Sequence, residues 1–488
     1  MSEKTNILNG LEPVAPLGFF EEISRIPRPS YHEEKISAYL ENFAIERNLE
    51  YYKDDLGNVI IIKEASKGME GADTIILQGH MDMVCEKEEG CTKNMEKEGL
   101  DLEVNGDLIS ARGTTLGGDD GVALCIALAI LDDDKLPHPR LECVFTVSEE
   151  TGMEGANAID VSMLKGRKLI NIDSEDEKYI IVGCAGGARI HLTLPVERTG
   201  AYDRCLEVMV GGLKGGHSGT EIDKGRANAA LVLADVLQAA AKADKSLTLI
   251  ALAGGSKDNA IPALAKAVVS CSNEDAVRDA VSRAAGQAAE EFKDTDPGLK
   301  VEVVNAEVAG DIQPLTREKT EDILDIMSTS LRGVIRMTPD IPDLVQTSLN
   351  MGISDLLDGE MDIHFSIRSS VASEKENLAE SLKAQADKYG FEYERTGDYP
   401  AWERVPESAL SDVIRKTYNE VTGKDIGITV IHAGLECGLL ADKLPGLDAV
   451  SIGPDIYDIH TPAERMSVSS MQRMYEVIRR VISGGCES

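Results

Sequence analysis

Apolar and polar positions along the chain fall into two textures. From the start to about residue 186, short and almost wholly apolar runs close on polar residues: "NVIIIK", "TIILQGHMD", "LECVFTVSEE" and "KLINIDSED". Runs this apolar suit strands buried on both faces, and helical segments such as 121–132 lie between them. Strand alternating with helix predicts a mostly parallel sheet covered by helices. Ser30 followed by Glu33 and Glu34 reads as a capping box opening a helix of about a dozen residues. Past "GCAGGARIHLTLP" the strands alternate more cleanly ("CLEVMVGG", "LKVEVVNAEV", "MDIHFSIRSS") and the helices become rich in Ala, which marks a separate α+β region over 187–398. From Tyr399 the first texture returns, with a strand at 447–453. The reading is therefore an α/β catalytic domain in two segments, 1–186 and 399–488, with an inserted α+β lid domain at 187–398. The turn segment "KDTDPGL" at 293–299 marks a candidate division of the insert into two halves, without a repeat to support it.

Bulk properties narrow the classes. A chain of 488 residues exceeds the size of a single core, which agrees with two domains. Acidic residues outnumber basic ones 85 to 50, and a formal charge of −35 repels phosphate backbones and anionic lipid, so neither nucleic acid nor membrane is expected as a partner. The opening residues lack a basic region followed by an apolar core, and no apolar run nears the roughly 20 residues that span a bilayer, so the expected location is cytoplasmic. Nine cysteines with no C-x-x-C pair argue against a disulfide framework or a thiolate metal site.

The polar residues that close the strands are the candidate chemistry, because open α/β sheets bind ligands at the carboxyl ends of their strands. Five segments carry them: His80 with Asp82, Asp119 and Asp120 in "GTTLGGDDGVA", Glu149 and Glu150 in "TVSEETGMEGA", Asp173 in "INIDSED", and His460 in "DIYDIHTPAE". Imidazole and carboxylate without thiolate suit zinc, cobalt or manganese in a hydrolytic site. Two His with three or four carboxylates can hold two such ions that share one acid. Neighbours in extended chain point to opposite sides, so Glu149 and Glu150 are expected to divide between ligand and general base. Asp82, two residues from His80 on the same side, is placed to receive the second ring N–H of that imidazole.

These segments, in this order, resemble the co-catalytic dizinc aminopeptidase and carboxypeptidase superfamily that includes aminoacylases and carnosinases. Together with "GGLKGGHSG", "HAGLECG" and "IGPDIYDIHTPAE" they are similar, over nearly the whole chain, to the bacterial aminoacyl-histidine (Xaa-His) dipeptidases. The resemblance implies that Asp119 bridges two metal ions, with His80 and Asp173 completing one site and Glu150 and His460 the other. It implies Glu149 as the base that deprotonates a metal-bridging water, Asp82 as the acid orienting His80, and Asp120 as a non-ligand following a cis peptide. In the lid it implies His217 as an oxyanion donor, and Asn259, Arg368 and Gly434 as substrate contacts. His432 and Glu436 receive no role. The implied activity is hydrolysis of Xaa-His, carnosine-like and other dipeptides. An aminoacylase or carboxypeptidase of the same fold is the alternative, and a metal or peptide binder without activity is a rival of another class, disfavoured because Glu149 accompanies a full ligand set. Members often dimerise through the lid, which implies a homodimer, whereas a lid this large can stand in for a second subunit.

Overall fold

The computed structural model describes residues 6–199, 204–308, 312–339, 341, 343–357, 359–405 and 407–484. The chain forms two compact units. The first holds residues 1–184, 404–430 and 435–488, and the second 185–403 together with Ile431–Gly434. The inserted region thus begins at Ala185 and ends at Glu403, and it takes up a four-residue piece that the sequence texture left with the closing segment.

The first unit is built on an eight-stranded sheet in the order Glu50–Lys53, Val59–Lys63, Leu141–Thr146, Ile75–His80, Lys168–Asn171, Asp448–Ser451, Tyr179–Cys184, Gly427–Ile431. Its four central strands, Leu141–Thr146 to Asp448–Ser451, pair in parallel, while Val59–Lys63 and Tyr179–Cys184 join them antiparallel. Every residue of Ile75–His80 and Leu141–Thr146 is buried, as expected of strands covered on both faces. The helix Gly118–Asp132 is apolar all round and buried from Gly118 to Leu131, which makes it an internal packing element. The predicted capping box does not form: the helix runs Glu34–Glu46 with no side-chain cap, and the Ser30 hydroxyl donates instead to Asp82.

The second unit carries a nine-stranded sheet that runs Lys300–Asn305, Arg204–Gly211, Ala265–Cys271, Thr248–Gly254, Val345–Leu357, Glu360–Ser369, Gly186–Pro195, Glu392–Tyr399, with Gly333–Met337 paired beside Val345–Leu357. Its core lies between that sheet and Ala-rich helices such as Ala229–Ala243, where Leu206, Leu233, Leu237, Val269 and Phe365 are at most 1% exposed. Residues 293–299 connect a helix to an edge strand of this one sheet and do not divide the unit.

Candidate metal and catalytic site

Parallel pairing brings the carboxyl ends of the central strands to one edge, where the predicted residues meet. His80 is the last residue of its strand and lies in register with Thr146 of the neighbouring one, three residues before Glu149. Two glycines set the approach. A Cβ on Gly79 would stand 2.3 Å from Asp120 Oδ2, and one on Gly117, whose φ is +65°, would stand 2.6 Å from Arg28 Nη2 and Met83 Sδ.

Asp119 occupies the centre. Its Oδ1 lies 3.0 Å from His80 Nε2 and its Oδ2 3.1 Å from His460 Nε2, one oxygen to each imidazole. Asp173 Oδ1 is 3.5 Å from His80 Nε2, and Glu150 Oε2 is 3.0 Å from His460 Nε2. The potential ligand atoms of His80, Asp119 and Glu150 all lie within 4.8 Å of one another, as do those of His80, Asp120 and Asp173. Asp120, which follows a cis peptide, spends its carboxylate on backbone: Oδ2 accepts from the His80 N–H at 3.1 Å and Oδ1 from the Ala123 N–H at 3.3 Å.

Asp82 does more than the sequence suggested. Its Oδ1 lies 3.2 Å from His80 Nδ1 and accepts from the Glu149 N–H at 3.0 Å, while Oδ2 accepts from the Glu150 N–H and the Ser30 hydroxyl. One buried carboxylate therefore orients the imidazole and clamps the acidic turn. That turn corrects the extended geometry assumed for Glu149 and Glu150. Ser148 has φ +54° and residues Glu149–Gly152 form one helical turn, so successive side chains diverge by helical rotation rather than by strand alternation.

Two further residues that sequence reasoning missed hold the loop before Asp119. Glu464 accepts from the backbone N–H groups of Leu116 and Gly117 through Oε2, and from those of Gly118 and Asp119 through Oε1, at 2.8–3.4 Å. Arg28, 2% exposed, donates to the carbonyls of Met81, Asp82 and Gly117. Their signals were an Arg between two prolines in "PRP" and an acid closing "HTPAE".

Electrostatically this is a cation site. Among the described residues no Lys or Arg pairs with Asp119, Asp173, Glu149 or Glu150, and the partners recorded for Asp119, Asp173 and Glu150 are imidazoles. Hydrogen bonds to Asp119 and Glu150 push the His460 imidazolium up to about 11. Burial opposes charge on His80, yet bonds to Asp119, Asp173 and Asp82 hold its proton well above the usual range. Burial raises Asp173 to about 6, and burial with Asp173, Glu436 and Glu150 nearby raises Glu149 well above an ordinary carboxyl. The nitrogens and oxygens with raised proton affinity are those that a divalent ion would take. Two imidazoles and at least three carboxylates with no thiolate therefore fit hard or borderline divalent metals.

Glu436 is also placed. Fully buried, it accepts from Gln78 Nε2 and from the Thr146 hydroxyl at 2.6 Å, bracing the two strands that lead to His80 and Glu149.

The second unit gathers its own set. His217, in the short strand Gly216–His217, pairs with Ala260, so Asn259 adjoins it and its carbonyl accepts the Ser218 N–H. The N–H groups of Gly219 and Thr220 donate to His217 Nδ1 at 3.2 and 3.1 Å, which leaves the proton of the neutral ring on Nε2. Burial and then the charge of Arg368 lower the pKa of this ring and keep it neutral. Arg368 donates through Nη1 to Tyr399 Oη at 2.9 Å, and no carboxylate among the described residues pairs with it. Gly187 makes that reach possible, since a Cβ there would stand 2.5 Å from the Tyr399 phenol. Gly434 closes the piece Ile431–Gly434.

The model of peptidase family M20/M25/M40 matches residues 76–484. The cytosol non-specific dipeptidase of Escherichia coli (strain K12) is 34% identical over 479 residues, 97% of this chain and 98% of that protein. The crystal structure of the aminoacylhistidine dipeptidase from Vibrio alginolyticus superposes with a TM-score of 0.88 at 32% identity, covering 99% of each chain. The aminopeptidase PepT from Bacillus cereus, at 17% identity and TM-score 0.56 over 97% of this chain and 98% of its own, shares the fold.

Proposed function

The chain belongs to peptidase family M20/M25/M40, and from that premise we propose that it is a metal-dependent dipeptidase acting on Xaa-His and other dipeptides in the cytoplasm. The observation that carries this reading is Asp119, one carboxylate oxygen directed at each of two imidazoles in a site without a Lys or Arg partner among the described residues. His80, Asp119 and Asp173 would hold one divalent ion, and Asp119, Glu150 and His460 a second. We take both as Zn2+, with Co2+ or Mn2+ as substitutes. When bound, such a pair polarises the scissile carbonyl and acidifies water.

The chain's own residues supply the rest. Glu149 takes the proton of the attacking water and delivers it to the leaving amine, held in place by the Asp82 clamp on its backbone. His217 Nε2–H donates to the developing oxyanion as a neutral group. Arg368 grips the terminal carboxylate, with Asn259 and Gly434 as further contacts, because a guanidinium with no carboxylate partner among the described residues is suited to bidentate carboxylate binding. No described helix is long and apolar enough to cross a membrane. In solution a homodimer is the state we propose.

A panel of dipeptides, tripeptides and N-acetyl amino acids, assayed with zinc and after chelation, tests the proposal. Zinc-dependent turnover confined to dipeptides is expected. Preference for N-acetyl amino acids or longer peptides would point to an aminoacylase or carboxypeptidase instead.

A further inference from the structure

The strand Glu392–Tyr399 keeps one register against Gly186–Pro195 from Glu392, opposite Thr193, to Thr396, opposite Arg189. It then gains a residue: Gly397 has φ +54°, and Tyr399 rather than Asp398 stands opposite Gly187. One extra residue turns the side chains that follow to the other face of a sheet, and bulges of this kind re-aim a side chain. Lys375, 5% exposed, staples the bulge by donating to the Asp398 carboxylate and, at 2.9 Å, to the Tyr399 carbonyl.

The face that Tyr399 gains is the one that carries Arg368. Gly187 stands opposite Arg368 on one side and opposite Tyr399 on the other, so three adjacent strands align a guanidinium, a glycine and a phenol. The phenol lies over the glycine, where a Cβ would stand 2.5 Å from Tyr399 Cζ and Oη, and Arg368 Nη1 donates to Oη at 2.9 Å. Of the two bidentate edges of the guanidinium fork, this contact leaves the one formed by Nε and Nη2. Among the described residues Arg368 Nε is buried with no hydrogen-bond partner. It faces the loop of His217: a Cβ on Gly219 would stand 3.1 Å from Arg368 Nε and 2.9 Å from His217 Cε1.

We propose that Tyr399 is the positioning residue of the carboxylate subsite. Its phenol, delivered by the bulge, fixes Arg368 with Nε turned toward His217, so that the Nε–Nη2 edge receives the substrate's terminal carboxylate. The proposal rests on the dipeptidase reading above and adds to it a residue that sets specificity through Arg368.

The probes are a reduced-amide dipeptide (CH2–NH in place of the peptide bond) as the free acid and as its carboxamide, each measured as a competitive inhibitor of the zinc-loaded enzyme, beside KM and kcat for the parent dipeptide. Wild type is expected to favour the acid, and Arg368→Met to abolish that preference. Tyr399→Phe, which keeps the ring and removes the hydroxyl, should shrink the preference by about fivefold, weaken the acid alone, and act on KM rather than on kcat. In the Arg368→Met background the same substitution should change neither inhibitor, because its route runs through the guanidinium. Gly187→Ala, whose methyl displaces the phenol, should shrink the preference likewise, and it keeps the test available should Tyr399→Phe not fold. An unchanged preference in Tyr399→Phe, or in Gly187→Ala where that is the variant that folds, overturns the role of Tyr399. So does an equal loss for acid and carboxamide, or a loss that persists in the Arg368→Met background. Preference surviving in Arg368→Met overturns the carboxylate subsite itself.

Discussion

Glu149 and Asp119 have carboxyl groups of the same chemistry and opposite proposed tasks, and their surroundings separate them. Asp119 is held by His80 and His460, which keep it ionised against the cost of burial, whereas Glu149 is desolvated among other acids and retains affinity for a proton. A group that receives and returns a proton needs the second environment. Glu149→Gln should therefore lower kcat by about 10²- to 10⁴-fold while the protein still binds two zinc ions. Turnover near wild type would move the base elsewhere. Most of these residues were legible in the sequence because each closes an apolar run. Arg28, Glu464 and Ser30 were not, since their partners lie 52–348 positions away.

The elements that matter most are the two loops that Glu464 and Asp82 stitch to the sheet. Four backbone N–H groups converge on Glu464 at the entry to the helix Gly118–Asp132, so removing the carboxylate leaves buried donors unpaired. Glu464→Ala should cost roughly 3 kcal/mol of stability in denaturant unfolding and weaken zinc binding by about tenfold, although the side chain is not proposed as a ligand. Unchanged metal affinity would limit Glu464 to bracing the fold. Strand and helix placement followed from periodicity, but the acidic turn did not. Its helical geometry depends on Ser148 at positive φ and on N–H bonds to Asp82, 67 positions earlier, which no local pattern encodes.

At the scale of the molecule, the alternation of textures revealed an inserted unit, and the exception was Ile431–Gly434. These four residues lie inside a segment of the first texture but bond to the second unit, through Ala185 and Ser348. The acidic balance has a consequence for the metal-free protein. His460, Asp173 and Glu436 hold protons more tightly folded than unfolded, with values of about 11, 6 and 7. The folded state then binds more protons than the unfolded chain, and stability falls as pH rises. For the carboxyls the loss begins above their unfolded values, near pH 4, and for His460 above about 6.5. Chelator-stripped protein should therefore show a falling Tm between pH 5 and 8.5, and zinc should restore it while releasing protons. A Tm that is flat or rises with pH would contradict the crowding of acids inferred for the empty centre.

The central claim is that Asp119 joins two metal ions in one hydrolytic centre. The most direct test titrates chelator-stripped protein with zinc and records hydrolysis of an Xaa-His dipeptide after each addition, beside Asp119→Ala. Turnover should be absent without metal, rise until two equivalents per chain are bound, and fail to appear in Asp119→Ala at any zinc level used. Full turnover without metal, saturation at one equivalent, or an Asp119→Ala protein as active as wild type would contradict it.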